Sequence, residues 1–236
     1  MRSNRLILLV LSIIALTSGL IIWYTVHSGE EKPVSVSFAL ALELLSDVIM
    51  IVLIDLMIRD RHKRLETKTT LMRDLYSEEE EIRLLALDNL IDERLLQGSI
   101  LNAIDFSTLN LNGRRFYDVT FFKCRFFGSQ LKNARFEKCK FIRADFSGAN
   151  LNTAQIYRSV LDRCNLSGSF FEDSEISESS FDNCNLDNGH FNKSNILEST
   201  FRQCTADNLV ASELNIDSES AKSFPGLRDR RVISSI

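Results

Sequence analysis

Large apolar residues recur at every fifth position from Phe106 to Phe201, twenty times in succession without a break. Two positions before them runs a second column, which from Cys124 to Cys204 holds only Ala, Ser, Cys or Gly. A period of five fits neither an α-helix, which repeats about every 3.6 residues, nor a strand, whose side chains alternate. The pattern predicts a solenoid in which four five-residue units close one square coil and successive coils stack at about 4.8 Å.

Single units of the repeat carry a specific signature. Residues 144–148 read ADFSG, residues 149–153 read ANLNT and residues 164–168 read CNLSG. This order of small residue, Asp or Asn, large apolar residue and two freer positions resembles the pentapeptide-repeat family, over about half of the chain. The resemblance implies a right-handed quadrilateral parallel β-helix. It implies a binding surface and supplies no chemistry.

Steps of twenty residues assign side chains to the same side of successive coils and so predict the buried ladders. One ladder contains Phe116 and Ile196. A second ladder is predicted as structural core and consists of Phe106, Phe126, Phe146, Leu166 and Leu186.

Both ends of the repeat deviate from the pattern. Leu96 and Leu101 keep its phase and predict a partial coil upstream. After Cys204 the large residues give way to alanines, while Leu209 and Leu214 indicate a phase slip. We expect a capping coil there, because the end of a solenoid exposes unpaired backbone.

All five cysteines occupy the small column, which predicts that they fill the core. No Cys-x-x-Cys pair or Cys/His cluster occurs, so we expect no metal site, no cofactor and no redox chemistry. Motifs of common enzymes are missing too, and we expect neither catalytic residues nor an enzyme. Five unpaired thiols fit a reducing compartment. The residues are Cys124, Cys139, Cys164, Cys184 and Cys204.

Two apolar segments precede the repeat. Residues 6–26 are 21 consecutive uncharged residues, and residues 36–58 form a second apolar run after a short polar turn. Each is long enough to cross a bilayer, so residues 1–58 are predicted to form an integral two-helix transmembrane hairpin. Basic residues flank the hairpin on one side, which places both termini and the repeat in the cytoplasm, anchored to the inner (plasma) membrane. Residues 43–64 also resemble the anchors of bacterial membrane-attached pentapeptide proteins.

Three carboxylates, Glu43, Asp47 and Asp55, fall within the second apolar segment. A carboxylate inside a membrane is costly and is by default a functional-site hypothesis. Three interpretations stay open. The side chains could join helices in an assembly, line a cation or proton path in an oligomer, or belong to an off-centre helix with Asp55 at the headgroups.

Residues 59–95 are predicted to be a cytoplasmic basic segment followed by a capping helix. Ser77 and Glu80 form a capping box, and the helix that they open should reach about Leu95. Its apolar residues should cover the first coil, in which Arg114 nominally points inward and should snorkel or pair with acids of the connector. The apolar residues are Ile82, Leu85, Leu87, Leu90 and Ile91.

The repeat, predicted to span residues 96–217 with a C-terminal tail at 218–236, is divided by charge. Residues 101–163 hold eleven Lys or Arg against five Asp or Glu, whereas residues 164–219 hold two against eleven. Solvated charge is one interpretation, and contact with anionic lipid or with protein partners is another. The candidate interaction surface is Arg114, Arg115, Arg125, Arg135, Lys138, Lys140, Glu172, Asp173, Glu178 and Asp182.

Two function classes follow from these observations. The favoured one is a membrane-tethered cytoplasmic scaffold or protein–protein interaction module, with a protein partner or self-association. The alternative is an oligomeric ion or proton pathway lined by the intramembrane carboxylates. Some pentapeptide proteins mimic DNA and bind gyrase, but the basic half and the hairpin disfavour that role here, and no nucleic acid partner is expected.

Overall fold

The computed structural model describes Trp23 and residues 34–225, with the backbone alone at residues 34–43. The chain divides into two units, Met1–Thr67 and Lys68–Ile236. Helix α1 (Val34–Asp74) runs well past the predicted helix end at residue 58. No described helix is long and apolar enough to cross a membrane. The first predicted span, residues 6–26, lies outside the described residues except for Trp23.

The second unit contains a right-handed parallel β-solenoid of about six turns. Two sides of the coil form parallel sheets of six short strands, each paired with the strand twenty residues away. The other two sides are joined by single bridges, such as Asp105 to Arg125 and Asn110 to Gln130. The first sheet stacks β1 (Ile100–Asn102), β3 (Thr120–Phe122), β5 (Lys140–Ile142), β7 (Val160–Asp162), β9 (Ser180–Asp182) and β11 (Thr200–Arg202). The second stacks β2 (Arg115–Tyr117), β4 (Arg135–Glu137), β6 (Gln155–Tyr157), β8 (Glu175–Ser177), β10 (Asn195–Leu197) and β12 (Asn215–Ile216).

Every corner of the solenoid requires a left-handed backbone. The residue two positions after each large apolar residue has a positive φ, 65° at Gly148 and 63° at Gly168. Glycine adopts this conformation freely, whereas a residue with a Cβ, such as Arg158 at 49°, pays about 1 kcal/mol. The hydrogen bonds between stacked coils hold these strained residues in place.

Aromatic rings fill the interior at the spacing of the coils. Phe126 stacks on Phe106 with ring centroids 5.1 Å apart and on Phe146 at 4.5 Å. Neighbouring ladders meet edge to face, as where Phe141 meets Phe146 at 5.1 Å. Leu166 and Leu186 continue the same ladder and are buried. The predicted five-residue pattern therefore produces a packed core and not a pore.

The small column also makes hydrogen bonds. The Cys124 thiol donates to the carbonyl of Leu101 at 3.3 Å, and the Ser159 hydroxyl donates to that of Phe136 at the same distance. Hydroxyl oxygens in this column accept backbone N–H groups as well, for example from Cys139 to Ser159 at 3.1 Å. Small polar residues are tolerated in the core because the backbone satisfies them.

The predicted phase slip after Cys204 is wrong. Strand β12 pairs with β10 in the unchanged register of twenty residues. Leu209 and Leu214 instead occupy the small column and are partly buried, while Ala211 fills the large column. At this end the small column holds large side chains and the large column holds a small one. The core therefore stays filled without a change of backbone phase.

Helix α2 (Glu80–Asp92) covers the N-terminal end of the solenoid. Leu87 and Leu90 are buried, as is Ala86, but Ile82 and Leu85 are 39% and 65% exposed, which corrects two of the predicted contacts. The predicted capping box is also wrong, because the helix begins at Glu80. Ser77 accepts a bond from the Glu79 amide at 3.2 Å and lies outside the helix.

Side-chain donors satisfy carbonyl groups at this N-terminal edge. The Tyr76 hydroxyl donates to the carbonyl of Asn102, and the Arg83 guanidinium donates to that of Asp105, each at 3.0 Å. Arg114 donates to the carbonyl of Asn110. The edge of the first coil is therefore closed to further strand pairing at these positions.

A short helix, α3 (Ser218–Ser223), closes the C-terminal end, which the sequence predicted as a tail. Ser220 accepts the amide of Ser199 at 2.8 Å, and Ser223 accepts that of Phe201 at 3.1 Å. Asp217 caps the helix and accepts the amide of Glu198 at 2.6 Å. The side chain of Phe224 is buried after the helix. Amide groups left by the last coil thus find acceptors in this cap.

We expect Asp217→Asn to destabilise the C-terminal cap in a pH-dependent way. Hydrogen bonds from Ser220 and other donors lower the pKa of Asp217 to about 2, from an ordinary value of 3.8. Because the folded-state pKa is depressed, the carboxylate stabilises the fold above about pH 4, and this contribution is lost as the pH falls through about 2. Urea unfolding of wild type and Asp217→Asn from pH 7 to pH 2 measures this. The difference between their unfolding free energies should become smaller below pH 4.

The control for this prediction is Glu213→Gln, which also replaces a carboxylate with an amide but does so at an exposed corner residue. It should leave the pH dependence of the unfolding free energy unchanged. If the difference in unfolding free energy between wild type and Asp217→Asn stays constant down to pH 2, the role assigned to the carboxylate is contradicted.

Candidate interaction surface

Four of the five cysteines are buried in the interior of the solenoid. Burial raises the pKa of the Cys124 thiol to about 11 and that of Cys139 to about 12. A hydrogen bond with Cys164 is the largest cause that raises the pKa of Cys184 to about 12. These thiols are therefore overwhelmingly protonated near neutral pH. Among the described residues no three His, Cys, Asp or Glu side chains form a group that could hold a metal ion.

Arg114 pairs with an acid of the capping helix, as the sequence suggested. Its guanidinium donates to both carboxylate oxygens of Asp88, at 2.7 and 3.0 Å. A two-bond pair of this kind fixes orientation as well as charge. Arg114 therefore joins helix α2 to the first coil, and its guanidinium is already occupied.

The three carboxylates of the second apolar segment lie along helix α1. Glu43 is described by its backbone alone, and Asp47 is exposed. Asp55 forms an ion pair with Arg59, four residues further along the same helix. Because the sequence predicted a helix end at residue 58, this pair, which requires the helix to continue, was not expected.

The predicted basic residues lie on the outside of the first coils, on different sides. Arg125 pairs with Asp105 at 3.6 Å, and Arg135 pairs with Glu137 at 3.2 Å. The ammonium group of Lys138 donates to the Tyr117 hydroxyl at 2.8 Å and lies over its ring. Arg115 and Lys140 are exposed, and the described residues provide no ion pair to either.

The predicted acidic residues lie on the later coils and make polar contacts of their own. Glu172 accepts from Asn152 at 3.2 Å and from Asn192 at 3.4 Å. Glu178 accepts from the guanidinium of Arg158 at 2.6 Å, which lowers the pKa of Glu178. Asp182 accepts from the Ser180 hydroxyl at 2.6 Å, and Asp173 is an exposed corner residue.

One side of the solenoid brings both signs of charge together with aromatic residues. We call it the even-strand face, formed by the outward side chains of β2, β4, β6, β8 and β10. A shallow depression of about 230 Å³ lies at its centre, lined by Gln155 and Tyr157 of β6 together with neighbours from β4 and β8. The outward side chains are Arg115, Tyr117, Arg135, Glu137, Gln155, Tyr157, Glu175, Ser177, Asn195 and Leu197.

A larger groove, of about 460 Å³, lies where the end of helix α2 meets strand β2. Ile91 lies in its wall, over the buried Leu90 and Phe116, and Arg94, Arg115 and Tyr117 lie along it. This groove could not be predicted from the sequence, because it depends on how the loop after α2 joins the first coil. No periodic signal marks that junction.

Comparison with known proteins supports the assignment of the repeat. A family profile described as "Pentapeptide repeat region" matches residues 134–211. These residues are a pentapeptide repeat region. Such repeats are generally non-enzymatic structural or interaction modules, and nothing points to catalysis in this one. No curated protein sequence matches the chain.

Solved structures similar to this chain include two that are described as pentapeptide repeat proteins, HetL and an Arabidopsis protein. HetL, involved in heterocyst differentiation regulation in the cyanobacterium Nostoc, is 14% identical with a TM-score of 0.35; the match covers 49% of this chain and 61% of HetL. A protein of the Arabidopsis thaliana thylakoid lumen is 23% identical over 46% of this chain and 69% of its own, with a TM-score of 0.26. QnrB1, a plasmid-mediated fluoroquinolone resistance protein, is 18% identical over 60% of this chain and 97% of its own, with a TM-score of 0.23.

Proposed function

We propose that this protein is a membrane-tethered cytoplasmic scaffold whose pentapeptide repeat region presents a rigid interaction surface to protein partners. One observation carries the proposal above all. The solenoid interior is filled by side chains and both of its ends are covered by helices, so that the outward columns alone are left to act.

The charge distribution supports an interaction role. The basic side chains lie on the first coils and the acidic ones on the later coils, each held at fixed spacing by the register of twenty residues. A rigid surface presents such charges without the entropy cost of ordering a flexible segment on binding. Complementary charge then sets which partner docks and how fast it does so.

The tether is supported by the sequence, in which residues 6–26 are 21 consecutive uncharged residues and a basic cluster follows residue 58. We infer that it holds the repeat region at the inner membrane surface. There the basic coils are able to contact anionic headgroups, where each Lys or Arg close to the surface contributes about 1 kcal/mol.

Crosslinking in intact cells, followed by membrane isolation and affinity capture, tests this function. We expect the full-length chain in the membrane fraction, resistant to alkaline extraction, with specific proteins crosslinked to it. A chain truncated after Leu101 keeps both apolar segments and lacks the repeat, so it should stay in the membrane and lose those proteins.

Two outcomes would count against the proposal. Recovery of the full-length chain in the soluble fraction would overturn the tether. Capture of the same proteins by the truncated chain would show that the repeat region is not the interaction surface.

A further inference from the structure

We propose that the even-strand face binds the same face of a second copy of this chain, in an antiparallel side-by-side dimer whose two-fold axis lies between the copies, at the level of strand β6. The inference deepens the proposed function by naming the partner of one face. It rests on that function only for the tether, which would raise the local concentration of the chains.

The symmetry follows from the arrangement of the face. A two-fold axis that runs along the strands, between the two copies, reverses the order of the coils and keeps each outward column opposite itself. With the axis level with β6, strand β4 of one copy lies opposite β8 of the other, and β2 lies opposite β10. The interface is then isologous, and every contact between different residues occurs twice.

Charge is complementary under this operation. Arg135 on β4 lies opposite Glu175 on β8 of the second copy, and both side chains are exposed. At the adjoining corner Lys138 lies opposite Glu178 of the second copy, and both are again exposed. The division of the chain into a basic and an acidic half therefore becomes four opposite-charge contacts in the dimer.

Apolar groups are complementary as well. The column that follows the buried residues contains Tyr117, Glu137, Tyr157, Ser177 and Leu197, which alternates apolar and polar in the same way from either end. Tyr117, 41% exposed, lies opposite Leu197, 36% exposed, and Glu137 lies opposite Ser177. Tyr157 meets its own copy at the axis, beside the central depression.

The sheet of odd-numbered strands lacks this property. The same operation, centred between β5 and β7, sets Ile142 against Asp162 and Phe122 against Asp182. Centring it on β7 sets Asp162 against its own copy. Of the two sheets, the even-strand face alone is self-complementary, which favours a second copy over an unrelated partner at this surface.

The size of the face predicts a weak dimer. Five strands at about 4.8 Å and a width of about 13 Å give a footprint of roughly 300 Å² per copy, which is well below the roughly 800 Å² per partner of stable interfaces. Asp118 and Glu198 meet as like charges at the rim. Arg158 approaches its own copy, although Glu178 neutralises it at 2.6 Å. Association should therefore weaken with added salt.

A charge swap tests the pairing on the full-length chain, measured by sedimentation equilibrium over a range of protein and salt concentrations. Arg135→Glu alone places Glu opposite Glu175 twice and should abolish the dimer, and Glu175→Arg alone should do the same. An equimolar mixture of the two variants restores opposite charges at both contacts, so we expect it to dimerise like wild type. Arg143→Glu, at a corner away from this face, is the matched control and should not change the association constant.

A cysteine test measures the position of the axis. Tyr157→Cys should form an intermolecular disulfide under mild oxidation faster than wild type does, because residue 157 faces itself. Tyr117→Cys should form it no faster than wild type, whereas a mixture of Tyr117→Cys and Leu197→Cys should. Circular dichroism of each variant shows whether it is folded.

The proposal is overturned if wild type stays monomeric at every concentration, if the single charge reversals leave the dimer intact, or if the mixture fails to restore it. Restored dimers together with no crosslinked protein in membranes would reject the proposed function and leave the dimer standing. Crosslinked proteins with a monomeric purified chain would do the reverse.

Discussion

Phe126→Ala is expected to lower the free energy of unfolding of the repeat region by about 3–5 kcal/mol, the usual cost of removing a fully buried phenylalanine. Its ring stacks on those of Phe106 and Phe146, at centroid distances of 5.1 and 4.5 Å, and meets Phe121 edge to face at 5.5 Å. The cavity would lie in the middle of a ladder, where the coils on either side are fixed by their own hydrogen bonds and cannot collapse into it. Urea unfolding followed by far-ultraviolet circular dichroism measures the loss.

The next residue provides the matched control. Phe127 points outward and is 50% exposed, so Phe127→Ala should cost less than about 1 kcal/mol. Because each coil contacts its immediate neighbours alone, a weak coil also reduces cooperativity, and the Phe126→Ala transition should broaden. Equal losses for the two variants would contradict the assignment of the buried ladder.

The repeat could be predicted from the sequence because its signal is redundant. An error in one unit is corrected by the nineteen others, and the period of five excludes helix and flat sheet on geometric grounds. The register of twenty residues and the burial of the small column both follow from that single period. The ion pair of Arg114 could be predicted for a related reason. A charged side chain at an inward position needs an acidic partner nearby, and Asp88 is that partner.

The remaining features depend on local contacts that do not repeat along the chain. Helix α3 is six residues long and has no periodic pattern, and its role depends on Ser220 and Ser223 meeting amides of the last coil. Helix α1 continues to Asp74, although the predicted apolar run ends at residue 58. Likewise, α2 begins at Glu80 with Glu79 as its N-cap residue, and the Ser77 capping signal does not set its start.

The candidate surface shows the same division. The sequence predicted which residues point outward and how the charges divide along the repeat. It did not distinguish side from corner, so Arg135 was a candidate of the basic half, whereas Glu175, which lies on the same face, was not among the candidates. A symmetric face becomes visible when the strands are known, because self-complementarity relates residues about an axis and leaves no local pattern in the chain.

Phe224→Ala is expected to open the C-terminal end of the repeat region, at a cost of about 3–4 kcal/mol. The buried ring of Phe224 meets Phe191 and Phe201 edge to face, with centroids 5.7 and 4.8 Å apart, and covers the last coil. Loss of this cover should act locally, because the end coil has a neighbour on one side only. Cys204 lines the same surface depression as Phe224 and should report the change.

In the wild type, a hydrogen bond with Cys184 and burial raise the pKa of Cys204, so its thiol should react slowly with iodoacetamide. In Phe224→Ala it should react many times faster, while Cys124 in the second coil stays protected; mass spectrometry of the labelled peptides separates the two. Lys222→Ala is the control, since that side chain is exposed and should change neither stability nor labelling. A Phe224→Ala protein that labels Cys204 and Cys124 equally fast would show that the end cap does not act locally, because the whole solenoid would then open as one unit.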